Sequence, residues 1–287
     1  MSLFQPYSYS GPASVPRHLA DTSGPVAYTA TLAAGFAAGG LLLLSRRTVR
    51  LGAGVLAGTA MVFAAQLVST TADFLRSTEP GTDLFYGPGP GYWLNLISAA
   101  LFTAATAATT TRMARAGALR FRETRLARPW MLTGLLVTVL WCAGAWMSWL
   151  RTTVTQEIDG QTVTQTLWEC CSLSTASGQT VAQDAVCAAV TVLLVVVSSR
   201  LSSASVASGM LFGLAFGHAG PVASVLFASP PTLKELAVWW GVNVQDLLQD
   251  QTILGTEPQA GMWPAVAAVA GITGLAAARI RSAARAR

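Results

Sequence analysis

The residues whose chemistry could matter are few. His218 is one of two histidines in the chain and stands in an apolar run, Phe216-Gly-His-Ala-Gly-Pro221. An imidazole at membrane depth can hold a proton, hydrogen-bond a solute or pin helices together. Asp184 and Asp73 fall near the ends of apolar runs, at a depth that water reaches, so neither needs a special role, and Asp184 stands with His218 as a candidate for ligand binding or packing. Gln66 and Asn95 are neutral and polar inside such runs and read as interhelix hydrogen-bond sites or ligand contacts. Of the four cysteines, Cys142 and Cys187 lie in apolar runs and read as small buried fillers, whereas Cys170 and Cys171 are adjacent in a polar segment where oxidation is possible. They can pair with each other or with a partner, or one can reach Cys187; the sequence leaves the choice open. No spacing of Cys and His suits zinc, and neither a phosphate-binding glycine loop nor any other cofactor motif occurs.

Two local patterns resemble known families. Ala207-Ser208-Gly209, followed by an apolar run with Gly213, resembles the nucleophile segment of rhomboid intramembrane proteases. In that family the serine works with a histidine on another helix. Here Val206 stands where the leading glycine belongs, and the last apolar run has no histidine. His218 lies ten positions further along the same run, about 15 Å away at the rise of a helix, so Ser208 reads as a packing residue. The order helix, β-hairpin, Trp168-Glu-Cys170-Cys171, then further helices is similar to the layout of claudin-like proteins, whose outer β-segment carries a Trp-x-x-Cys element. Trp168 and Cys171 match it, but residues 172–184 lack that family's second cysteine. The resemblance implies a helical bundle that presents a folded outer loop. A retinal protein is excluded, because its cofactor needs a lysine in the last helix and the one lysine here, Lys234, lies in a loop.

What must position these residues follows from composition. Of 287 residues 52% are hydrophobic and 11% charged, against about 25% charged in soluble domains. Seven stretches, 26–44, 51–71, 92–111, 130–150, 181–198, 206–227 and 262–278, reach the ~17 residues that a helix needs to cross hydrocarbon. The fold class expected is an all-α integral membrane bundle of about seven helices. Alternating barrel strands are absent from these stretches.

Charge sets the orientation. Arg46, Arg47, Arg50, Arg112, Arg115, Arg120, Arg122, Arg125, Arg128, Arg200, Arg279, Arg281, Arg285 and Arg287 flank one end of the seven stretches with a single acid, Glu123. The other end holds Arg17, Arg76, Arg151 and Lys234 with the remaining twelve of the thirteen acids. The positive-inside rule puts the first set in the cytoplasm, with the N-terminus outside and the C-terminus inside. Residues 1–25, broken by prolines, read as a mostly disordered extracytoplasmic tail with no cleavable signal; 26–278 form the membrane domain; 279–287 form a basic cytoplasmic tail. The preference for Arg over Lys suits the plasma membrane of a bacterium with a GC-rich genome. The basic residues form no aromatic-interleaved groove, which speaks against nucleic acid as a partner.

Three outer loops carry the remaining pattern. Loop 76–91 is rich in Pro and Gly and places Tyr86 at the interface. Loop 151–180 predicts a β-hairpin, two Thr/Val-rich runs around Asp159-Gly160. An isolated hairpin is marginal in water, so it must pack on something. Loop 228–261 predicts one amphipathic helix near 232–250, weakened by Gly241 and bearing Trp239 and Trp240. Acids on its polar side favour packing on the hairpin over lying on lipid.

These readings point to a non-catalytic subunit or scaffold of a membrane complex. Its partners would be the lipid bilayer and a membrane protein or a second copy, with Trp168, Trp239, Trp240 and Tyr86 facing the partner. The alternatives are a permease for a neutral or lipidic solute, built on a Gly/Pro-unwound sixth helix around His218, and an intramembrane enzyme.

Overall fold

The structure is a computed structural model that describes residues 6–10, 15–18, 23–76, 87–117, 119–121, 128–158, 160–170, 178–230 and 232–285. The helices are α1 (Ser23–Leu43), α2 (Val49–Arg76), α3 (Pro90–Arg115), α4 (Arg128–Trp146), α5 (Gly178–Arg200), α6 (Ala204–Leu226), α7 (Leu233–Trp240), α8 (Val244–Gln249) and α9 (Met262–Arg285). The strands are β1 (Pro6–Ser10), β2 (Val15–His18), β3 (Gly87–Pro88), β4 (Leu150–Ile158), β5 (Gln161–Cys170) and β6 (Ile253–Pro258).

Each apolar stretch forms one long helix: α1 to α6 and α9. Three of these helices, α1, α6 and α9, are long and apolar enough to cross a membrane, while Val49–Ala65, Leu132–Trp146 and Ala185–Arg200 are shorter apolar runs among the described residues.

The helix α6 is the axis of the bundle and packs against α1, α2, α5 and α9. Thirteen of its 23 residues are buried. Ser203 caps its N-terminus by accepting from the Val206 amide, and the helix runs unbroken through Pro221. The unwound segment around His218 that a transporter site would use is therefore not formed. Small residues set the approach of α2. Gly54 and Gly58 face Gly209 and Gly213, and a methyl on Gly54 would sit 2.9 Å from the Gly209 Cα. This is the small-xxx-small contact, in which backbones touch because no side chain separates them. The main core continues through Val62, Leu194, Leu211, Leu214, Ala268 and Ile272.

The outward faces stay apolar. Leu132, Leu135, Leu136 and Val139 on α4, and Trp93, Ile97 and Leu101 on α3, are all exposed. Among the described residues eight buried positions are polar; Thr138 bonds within its own helix, to the Gly134 carbonyl, whereas Thr59 reaches across to the Gly213 carbonyl of α6.

Two three-stranded antiparallel sheets lie outside the bundle core, in the orders β2-β1-β3 and β5-β4-β6. The first sheet draws on the N-terminal segment read as a mostly disordered tail: residues 6–10 pair with both 15–18 and 87–88, and residues 1–5, 11–14 and 19–22 lie outside the described residues. Pro6 opens β1 and Pro16 lies within β2, an edge strand, both places where a sheet tolerates proline, while Pro12 lies outside the described residues. The second sheet contains the expected hairpin, with Gly160 at φ +73 in its turn. Thr155 and Thr164 hydroxyls meet at 3.0 Å across it. Its third strand, β6, comes from the next loop and pairs with β4 from Leu150↔Pro258 to Thr155↔Ile253.

The single amphipathic helix expected near 232–250 is two helices. Gly241 takes φ +66, and the Val242 amide reaches back to the Ala237 carbonyl at 3.0 Å, which closes α7 with a left-handed cap. Asn243 then starts α8 by accepting from the Gln245 amide at 3.1 Å. Both helices bury their apolar faces on the sheet: Leu236, Ala237 and Leu247 enclose Val154, with Leu167 and Leu254 at the edge.

Candidate functional site

His218 is almost fully buried, at 1% exposed, where α4, α5 and α6 meet. Its Nε2 lies 2.7 Å from Thr191 Oγ1 on α5. The same hydroxyl donates to the Cys187 carbonyl at 2.7 Å. A hydroxyl has one hydrogen, so both bonds are satisfied together when Nε2–H donates to Thr191 and Nδ1 carries the lone pair. The imidazole rests against the Trp141 indole of α4, centroids 4.0 Å apart. Trp141 in turn meets Trp149 edge-on at 5.7 Å, and Trp149 Nε1–H donates to the Gly144 carbonyl at 2.7 Å. Two atoms in this cluster, His218 Nδ1 and Trp141 Nε1, are buried without a hydrogen-bond partner.

The cluster ties three helices together through one hydrogen bond and one tilted ring contact. Among the described residues the polar side chain bonded to His218 is a threonine whose hydroxyl is already committed to a carbonyl. Ser208, the rhomboid-like position, is fully buried and its Oγ has no partner, histidine included. Among the described residues no group of three His, Cys, Asp or Glu could hold a metal ion.

A second polar cluster lies where the basic loops meet. Arg279 of α9 donates Nη2–H to the Leu201 carbonyl at 3.0 Å, just past the end of α5, and its guanidinium lies 5.7 Å from the Trp130 ring centroid. There Phe121 pairs with Leu201, and the Ser202 amide donates to the Arg120 carbonyl at 2.8 Å.

The other sequence candidates fall on several elements. Gln66 is in α2, Asn95 in α3, Asp184 in α5, Trp168 and Cys170 in β5 and Trp239 in α7, but their side chains lie outside what is described. Tyr86 and Cys171 lie outside the described residues altogether. Trp240, the last residue of α7, is exposed at 41%. Cys142 is exposed on α4 and Cys187 half-buried on α5. Sequence reasoning missed Trp141, Thr191 and the Arg279–Trp130 contact. One signal was present: Trp141 falls mid-run, away from the interfacial belt that tryptophan prefers.

Comparison with protein-family models, with curated proteins and with solved structures gives no match.

Proposed function

We propose that the protein is a seven-helix plasma-membrane protein, N-terminus outside and C-terminus inside, that acts as a non-catalytic subunit or scaffold and presents a folded outer module to a partner. The observation that carries this reading is the joint sheet. β4 and β5 come from one loop and β6 from another, yet they share one ladder, and α7 and α8 seal one face of it. Loops that only connect helices need no such core. A built module at one end of a bundle is what a recognition surface requires.

Loop partnerships support the orientation. The segments assigned outside meet one another: the N-terminal strands with β3, and the hairpin with β6, α7 and α8. The segments assigned inside also meet one another, through Phe121, Leu201, Ser202 and Arg279. Alternating crossings by seven helices produce both groupings, and the arginine bias then says which end is the cytoplasm. The apolar outward faces of α3 and α4 suit lipid as their solvent. The His218 cluster fits a packing role, since its hydrogen bond stays inside the bundle and α6 is not unwound.

The test is native mass spectrometry of the protein extracted from its own membrane in mild detergent. A stoichiometric co-purifying protein is the expected result. A lone monomer, whose deletion leaves every membrane complex intact, would sink the subunit reading. A lone protein carrying a discrete solute would replace it with the permease reading.

A further inference from the structure

The sheet β5-β4-β6 ends at β5, and nothing among the described residues pairs with the outer side of that strand. The Glu157 amide of β4 donates to the Asp250 carbonyl, which lies on the β6 side. Alternate residues of a strand bond to opposite neighbours. Val154 and Gln156 therefore bond β5, through their partners Gln165 and Val163. Thr162, Thr164 and Thr166 fall between them, at positions that exchange no backbone bond with β4. The 3.0 Å meeting of the Thr155 and Thr164 hydroxyls agrees, because side chains come closest at such positions. These three threonines aim their N–H and C=O groups away from the sheet, and all three are exposed.

Sheet edges are normally blunted by brevity, proline or charge. The other edges among the described strands follow that rule. β2 has four residues with Pro16 and Arg17, β3 is the pair Gly87–Pro88, and β6 has six residues ending in Glu257-Pro258. β5 runs ten residues without proline and is uncharged from Gln161 to Trp168. An unguarded edge beside three guarded ones is a template for one more strand.

We propose that β5 is the docking edge of the outer module, and that its occupant is an extended, uncharged, Thr/Val-rich segment of a partner protein, flanked by basic residues. The inference rests on the subunit reading and names where that partner binds. Free N–H and C=O groups on alternate residues select an extended backbone over a helix or a small solute. β-branched side chains suit the pairing, and threonine is a favourable cross-strand neighbour of threonine. Charge selects against a second copy. Residues 150–170 and 232–258 hold seven acids and two bases, Arg151 and Lys234. Two such modules placed edge to edge repel, whereas basic flanks on a partner strand are attracted.

The experiment uses the full chain in mild detergent and a fluorescent peptide of alternating Thr and Val with a pair of Lys at each end, read by anisotropy. The wild type should bind it. N-methylating the central amides of the peptide keeps its side chains and charge but blocks main-chain pairing, and should weaken binding at least about ten-fold, the worth of one net hydrogen bond. Exchanging the flanking Lys for Glu should weaken it by a similar factor. Thr164→Pro removes an N–H that no ladder bond uses, which an edge strand tolerates, and should also weaken binding about ten-fold. Hydrogen exchange over β4 shows whether the sheet survives that change; if it does not, the N-methylated peptide and the wild type decide. No binding by the wild type, or equal binding of the N-methylated peptide, would overturn the proposal. Equal binding of the Glu-flanked peptide would overturn its basic partner, and a wild-type dimer that Thr164→Pro dissociates would put a second copy on the edge instead. Extraction from the native membrane separates the two levels. A stoichiometric partner held equally by the wild type and by Thr164→Pro overturns this edge alone, while a wild type with no partner overturns the subunit reading itself.

Discussion

Gly58 of α2 and Gly213 of α6 leave no room for a side chain between them. A methyl on Gly58 would lie 3.0 Å from the Gly213 Cα and run into the Met210 carbonyl; one on Gly213 would lie 2.9 Å from the Gly58 Cα and 2.6 Å from the Thr59 amide. The obstacle is backbone, which cannot rotate aside as a side chain can. Gly213→Ala should therefore destabilise the bundle by about 1–3 kcal/mol through overpacking. Better helix propensity returns about 1 kcal/mol of that, and Gly213→Leu should separate α2 from α6 outright. A methyl on Gly274 would meet nothing within 4 Å, so Gly274→Ala is the control that keeps or raises stability. Thermal midpoints in detergent decide, and equal midpoints for Gly213→Ala and Gly274→Ala would refute the contact.

The His218–Thr191 bond gives a second expectation. Thr191→Val keeps the shape but strands the imidazole N–H in a dry core. A stranded buried donor costs about 1–3 kcal/mol. Interhelical bonds in membranes average nearer 0.6 kcal/mol in double-mutant cycles, because the reference state also finds partners. The lower figure governs the coupling, since this bond lies within a helix bundle. A cycle of Thr191→Val with His218→Phe should return a coupling of about 0.6–1.7 kcal/mol. Zero coupling would place the bond outside the folded state. His218→Phe should leave partner binding unchanged, a readout that a solute-binding histidine would not spare.

The outer module depends on Leu236, which is 0% exposed over Val154. Leu236→Ala removes most of that contact and should cost about 2–5 kcal/mol of local stability. Hydrogen exchange should accelerate across 150–170 and 233–258 together, with α6 and α9 unchanged. Acceleration confined to 233–240 would mean that the sheet and helices do not share a core.

The helices were readable from the sequence because each needs a long apolar run, and the arginines punctuated those runs. What was not readable depended on distant partners. Ile253–Pro258 is short and holds Gly255 and Pro258, so on its own it is a poor strand; it forms because β4 offers an open edge. Gly241 was visible as a weak point, but whether a glycine merely weakens a helix or ends it left-handed is settled by the sheet beneath α7 and α8. His218 stood out as a lone imidazole. Its partners, Thr191 on α5 and Trp141 on α4, carry no local mark of belonging with it, since helix crossing rather than spacing brings them together.

Orientation yields the last expectation. Thr162 is exposed on β5, and Arg120 is exposed in the loop whose carbonyl holds Ser202. Replacing the side chain of Arg120 leaves that backbone bond intact. In a chain with its four native cysteines removed, Thr162→Cys should react with a membrane-impermeant maleimide on intact cells. Arg120→Cys should react only after the membrane is opened. The opposite order would invert the protein in the membrane and set the arginine bias aside as a guide. Labelling of both on intact cells would put the two loops on one side, so that α4 does not cross between them, and the count of seven would fail there.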